Sequence, residues 1–183
     1  MRIVAFDLET TDLKALMGRL LCCSFYPITT ENARVRPYTF RADRAPWKLK
    51  DPIDDSKLAI AIRDELEKYH MIVSWNGKLF DAPFLNARLL KARERPLRAQ
   101  LHLDAMWYAG GSSNRIGSKK LVNVQKFLGL PEEKTAITWE NWQRAALGAT
   151  KSFDEVVHHC EMDVRVLAGA YWRLLPNVAT IHR

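Results

Sequence analysis

The opening segment Ile3-Val4-Ala5-Phe6-Asp7-Leu8-Glu9 constrains the fold more than any other part of the chain. Residues i and i+2 of a strand share a face, so Val4, Phe6 and Leu8 turn one way while Asp7 and Glu9 project side by side the other way. Two like charges at the end of an apolar strand need a cation. Alone, Asp7 and Glu9 also read as ordinary solvated strand-end carboxylates, so the choice rests on the rest of the chain. Asp81 in mid-chain and Asp163 near the C-terminus are the acids that could complete a site, and one sheet can collect residues so far apart.

Residues 2–8 read as a first strand, followed by a turn through Thr10-Thr11-Asp12, an apolar run from Leu20 to Tyr26 and a third strand near Val35 to Phe40. Between Arg41 and Asp55 charges and two prolines, Pro46 and Pro52, surround Trp47 and mark a surface loop. Asp55 or Ser56 can cap a helix from Lys57 to Tyr69, in which Leu58, Ile62, Leu66 and Tyr69 recur at helical spacing, and this helix leads into a buried strand, Met71 to Ser74. Asp81 opens a second helix that tolerates Pro83 in its first turn and becomes basic through Arg88, Lys91, Arg93, Arg95 and Arg98. Leu101 to Asp104 reads as a fifth strand, and Tyr108 to Lys120 as a mobile Gly/Ser-rich loop. Leu121 to Leu128, ending at Gly129, and Trp139 to Leu147 read as short helices. Asp154 to Leu175 forms a long final helix stopped by Pro176. Three early strands, then helix, strand, helix and strand, predict a mixed five-stranded α/β sheet flanked by helices.

At 183 residues with 48% hydrophobic content, the chain is expected to form one domain over 1–183, with a flexible tail from about 177. Its +7 net charge favours a polyanionic partner such as nucleic acid, although solubility explains such a balance equally simply. Cys22, Cys23 and Cys160 form no Cys-x-x-Cys pair and read as small core residues in a reducing compartment. No apolar run approaches the roughly 18 residues of a membrane span, and the N-terminus carries no signal-like segment, so a cytoplasmic protein without a membrane partner is expected.

Phosphodiester hydrolysis requires an acidified water, charge stabilisation on phosphorus and a neutralised leaving oxygen. Two metal ions about 3.5–4 Å apart supply all three. A site built from Asp and Glu suits Mg2+ or Mn2+ better than zinc.

Three segments, Asp7-Leu8-Glu9-Thr10, Asn76-Gly77-Lys78-Leu79-Phe80-Asp81 and His159-Cys160-Glu161-Met162-Asp163, resemble the three exonuclease motifs of the DEDD 3′–5′ exonuclease superfamily. The resemblance spans nearly the whole chain. Its middle motif is most similar to the exonuclease domains of family B DNA polymerases and their stand-alone relatives. It implies a ribonuclease H-like fold and stepwise removal of nucleotides from the 3′ end of single-stranded or frayed DNA, with RNA as another substrate. It also implies that Asp7, Glu9, Asp81 and Asp163 hold two ions, Asp7 bridging both, and that Thr10, Asn76, Lys78 and Phe80 meet the substrate. Phe80 also reads as a core residue beside Leu79, Phe84 and Leu85, and Asn76 as a turn residue before Gly77.

The superfamily that the chain resembles splits into one branch with Tyr-x-x-x-Asp and another with His-x-x-x-x-Asp at the third motif, and this chain has histidine at both spacings. On a helix His159 shares a face with Asp163, whereas His158 is rotated away by about 100°. His159 is therefore the favoured general base, and its imidazole can accept a proton at neutral pH. His158 fits if the final helix begins later. Asp104 reads as an auxiliary carboxylate or a helix cap. Arg115, Lys119 and Lys120 are candidate phosphate contacts, Leu13 to Leu16 a candidate wedge, and Trp75 a candidate base contact; Trp139, Trp142 and Trp172 read as packing residues. Two other readings stand beside it: a structure-selective endonuclease, whose chemistry ribonuclease H-like folds also support, and a non-catalytic nucleic-acid-binding subunit whose metal site is vestigial. Any polymerase or repair partner is expected on a separate chain.

Overall fold

The computed structural model describes residues 1–30, 35–48, 50–51, 53–110, 114–131 and 136–178. At its centre is β1 (Ile3–Thr10), paired antiparallel with β2 (Leu20–Ile28) and parallel with β4 (Met71–Ser74). β2 pairs antiparallel with β3 (Tyr38–Arg41), and β4 pairs parallel with β5 (Leu101–Asp104), giving the order β3-β2-β1-β4-β5. This is the mixed five-stranded sheet expected from the sequence. The C-terminal ends of β1, β4 and β5 therefore lie at one edge. There the β1–β2 register shifts between Glu9 and Thr10, a local irregularity that turns the chain out of the sheet just past both N-terminal acids.

The helices are α1 (Ser56–Leu66), α2 (Asp81–Lys91), α3 (Ala105–Gly110), α4 (Leu121–Leu128), α5 (Trp139–Ala146) and α6 (Thr150–Leu174), followed by a 3-10 turn over Leu175–Asn177. Val4, Phe6 and Leu8 pack in one apolar cluster with Leu58 and Ile62 of α1 and Leu85 and Leu89 of α2. On the other side, Ala5, Val73 and Leu103 pack with Leu167, Tyr171 and Leu174 of α6. Alternation in β1 thus sends its even residues toward α1 and α2 and leaves Asp7 and Glu9 on the face that α6 covers. None of the described helices is long and apolar enough to cross a membrane.

Several expectations need correction. β3 is shorter than Val35–Phe40, because Pro37 has no amide to give the ladder. α1 stops at Leu66, and Tyr69 instead reaches Tyr38 through its hydroxyl at 2.9 Å. Asp55 sits at the cap position without capping; its carboxylate accepts from Leu20 N and from buried Arg88. α6 begins at Thr150, with Phe153 N donating to Ala149 O, while Asp154 turns to Arg41 and Arg44. Ala105–Gly110 is helical, so the segment read as a loop from Tyr108 starts inside α3; Asp104 receives Met106 N, and the small Ala105 and Ala109 pack inward. The middle of that segment (111–113), Pro52 and the tail from 179 lie outside the described residues. The basic end of α2 is largely engaged in ion pairs, Arg88 with Asp55 and both Arg95 and Arg98 with Glu67.

Candidate active site

Asp7 and Glu9 project from the irregular end of β1, Asp81 from the first position of α2 and Asp163 from the middle of α6. They converge. Glu9, raised well above the usual carboxylate range, is displaced first by burial and then by Asp7, Cys22, Asp163 and Asp81, so it feels all three other acids. Asp7 and Asp163 line one cleft of about 460 Å³. Asp81 is 2% exposed, and its Oδ1 accepts Leu8 N at 2.9 Å, which ties the second motif directly to the backbone between the first two acids. Burial pushes the Asp81 pKa up to about 7 despite that hydrogen bond.

The turn before α2 explains how Asp81 reaches β1. Asn76 adopts φ 66°, a left-handed conformation that asparagine tolerates, and its carbonyl accepts from Leu79 N and Phe80 N. A Cβ on Gly77 would lie 2.4 Å from Ser74 Oγ and 3.1 Å from Asp81 Oδ2, so only glycine allows this close approach. Asp104, buried at the end of β5, accepts Asn76 N at 2.9 Å and Lys78 N at 3.1 Å. Its oxygens therefore brace this turn and cap α3, which is the cap alternative read from the sequence extended to a second loop.

On α6, His159 Nε2 lies 4.0 Å from Glu9 Oε1 and 3.9 Å from Asp163 Oδ2. His158 is exposed, and because α6 starts eight residues before it, it lies well inside the helix and not on a loop. Sequence reasoning missed the role of Cys160. Its buried thiol sits 3.4 Å from Asp7 O and 3.6 Å from Asp7 Oδ2, steadying the carboxylate. The available signal was spacing, since Cys160 precedes Asp163 by three residues and shares its side of the helix.

Two clefts flank the acids. One contains Glu9, Thr10, Leu13, Lys14, Phe80, Trp139 and Trp142 and has a volume of about 670 Å³. Trp142 Nε1 donates to Thr10 O at 3.0 Å, whereas Trp139 is 71% exposed and is a cleft wall and not the packing residue expected. The other is the Asp7–Asp163 cleft, joined by Trp75, Asn76, Lys119 and Lys120, with Trp75 Nε1 donating to Lys119 O. Arg115 is exposed and lines neither cleft. Lys78 also points elsewhere, with its ammonium 5.2 Å from the centre of the Trp107 ring.

The donor set fits a hard cation. Burial opposes ionisation of Glu9 and Asp81, at Glu9 with the added repulsion of the neighbouring acids, and a positive ion removes that penalty. Asp7, Glu9 and Cys160 each place one possible ligand atom within 4.8 Å of the others, but burial raises the Cys160 thiol well above its usual range, so it stays protonated and donates to Asp7. A thiophilic ion is accordingly a poorer fit.

A family model described as the RNase_H superfamily matches residues 4–174. Among solved structures, the fold is similar to the family B DNA polymerase from the hyperthermophilic archaeon Pyrobaculum calidifontis, with a TM-score of 0.72 and 18% identity over 96% of this chain. The match covers 24% of that polymerase, so this chain spans about a quarter of its length. No curated protein sequence matches the chain.

Proposed function

The chain belongs to the RNase_H superfamily, and on that premise we propose that it is a divalent-metal-dependent 3′–5′ exonuclease acting on single-stranded or frayed DNA. One observation carries the reading: Asp7, Asp81 and Asp163, from β1, α2 and α6, all bear electrostatically on the buried Glu9, and His159 Nε2 lies about 4 Å from Glu9 and Asp163. Asp7, Glu9, Asp81 and Asp163 are the residues that would hold Mg2+ or Mn2+. When bound, a pair of such ions acidifies a water and offsets charge on the attacked phosphate and leaving oxygen.

The remaining work falls to the chain. His159 Nε2 accepts the water's proton, with Glu9 and Asp163 on either side stabilising the imidazolium that results. The hydrogen bond from Leu8 N holds Asp81, and the Cys160 thiol holds Asp7, so neither carboxylate must reorganise during a turnover. The terminal base enters the larger cleft between Leu13, Phe80 and Trp139, and the preceding nucleotide lies toward Trp75, Asn76 and the exposed Lys119 and Lys120. DNA is favoured over RNA because the similar solved structure is a DNA polymerase.

Purified protein with Mn2+ should shorten a 5′-labelled oligodeoxynucleotide one residue at a time and spare the same strand with a blocked 3′ end. Asp7→Asn should abolish this ladder while retaining binding. Cuts scattered along the strand, or equal cleavage of the blocked strand, would refute the exonuclease reading.

A further inference from the structure

We infer that Trp75 is a positioning residue: its indole N–H fixes the backbone of Lys119, so that Lys119 and Lys120 are held as phosphate contacts in the wall of the Asp7–Asp163 cleft. This rests on the exonuclease reading and adds to it the residue that sets where the strand's phosphates are held. Trp75 Nε1 donates to Lys119 O at 2.9 Å, and Trp75, Lys119 and Lys120 line the same cleft of about 460 Å³ as the two acids. Both lysines are exposed, and no acid among the described residues pairs with either ammonium. Residues 114–120 carry the cations Arg115, Lys119 and Lys120 and no acid, a charge that suits a polyanion.

Two supports hold this basic segment. From α3, Tyr108 O accepts Asn114 Nδ2 at 2.9 Å and Ala109 O accepts Ile116 N at 3.3 Å. The Lys119 stem also lies against Gly110, where an added Cβ would meet Lys119 Cγ at 3.0 Å. The second support is Trp75, which directly follows β4 and precedes Asn76, the residue whose amide Asp104 accepts. Its ring packs against the apolar cluster containing Val73 and Leu167, which anchors the indole. Trp75 thus ties the turn that delivers Asp81 to the segment that delivers the lysines. Without the indole N–H, Lys119 O turns to water and the two ammonium groups must be ordered by the strand itself, which weakens binding.

The test uses the full chain carrying Asp7→Asn and a fluorescently labelled dodecathymidylate, with binding read by anisotropy over a salt series. Trp75→Phe keeps an aromatic ring and removes the donor. It should weaken binding about threefold to tenfold, the worth of one hydrogen bond, and reduce the slope of log affinity against log salt by about 0.7, the share of one phosphate contact. With Lys119→Ala and Lys120→Ala already present, Trp75→Phe should change affinity less than about twofold, because no ammonium remains to be positioned. In the parent chain with Mn2+, Trp75→Phe should raise KM by a similar factor and leave kcat nearly unchanged. Undiminished affinity in Trp75→Phe would overturn the inference, and a loss confined to Trp75→Ala would then mark a stacking platform. An equal loss with and without the lysines would overturn it too, by making Trp75 a packing residue. A parent chain that binds the strand but never shortens it would instead bring down the exonuclease reading.

Discussion

Removing Arg88 should reveal how the cleft beside Glu9 is kept in shape. Asp55 and Arg88 are 1% and 4% exposed, and their charges meet at 2.7 Å. Arg88 also donates to Ala15 O at 3.0 Å and Gly18 O at 2.8 Å, and Asp55 accepts Leu20 N at 2.7 Å. One buried pair therefore pins the second half of the loop that carries Leu13 and Lys14. Arg88→Met would leave the Asp55 carboxylate buried with Leu20 N as its remaining donor, a situation that costs about 3–5 kcal/mol. At about 2–4 °C per kcal/mol for a chain of this size, the melting temperature should fall by roughly 6–20 °C. Equilibrium urea unfolding and thermal melts measure the loss. The double variant Asp55→Leu with Arg88→Met should be less destabilised than Arg88→Met alone, since it buries no orphaned charge. In the folded fraction, KM for an oligonucleotide should rise more than kcat falls, because the loop borders the cleft and holds none of the four acids. A loss under about 1 kcal/mol, the range of a surface pair, would refute the argument.

His159→Ala should lower turnover by about 10²–10⁴-fold and His158→Ala by far less, measured as single-turnover nucleotide release; the reverse ranking would move the base to His158. In metal-free protein, Asp81 and Glu9 are raised by burial, so they bind protons more tightly when folded; their stabilising effect is complete below pH 4 and is lost as pH rises through about 7 for Asp81. Added Mn2+ should reverse that slope, and melts between roughly pH 4 and 8 would show it. Glu67 has the opposite sign: hydrogen bonding first from Arg95, and also from Arg98, holds it near pKa 2, so its contribution is present above pH 4.5 and is lost as pH falls toward 2. Glu67→Gln should remove that acid-side loss.

The parts of this fold most legible in the sequence were those set by local pattern. Met71–Ser74, Leu101–Asp104 and Leu121–Leu128 begin and end where apolar runs and Gly129 place them. The parity of β1 alone placed Asp7 and Glu9 together. What remained hidden depends on partners distant in the chain. Nothing near Asp55 indicates that it would bind Arg88 rather than cap α1, and nothing near Asp154 shows that Arg41 and Arg44 would draw it off the helix start. Lys78 belongs to a motif whose neighbours face the acids, yet the left-handed turn at Asn76 aims its side chain at Trp107. Trp139 looked like packing because tryptophans usually are; it stands instead at the start of α5, whose Thr138 cap accepts Asn141 N and whose buried side begins farther along.

The arrangement of the acids carries its own argument for a bound cation. Carboxylates left to themselves would swing apart into solvent. Here Leu8 N holds Asp81, Cys160 holds Asp7, and Asp104 braces the turn from which α2 starts, so repulsion is retained instead of relaxed. A fold keeps such a strained set only if the surroundings over-determine it, and this scaffold does so from three separate elements. The same fixings that make the metal-free centre unfavourable keep the oxygens in place for an ion, so little ordering remains to oppose binding. Loosening any one of them, for instance by Cys160→Ala, therefore eases the repulsion and weakens ion affinity together.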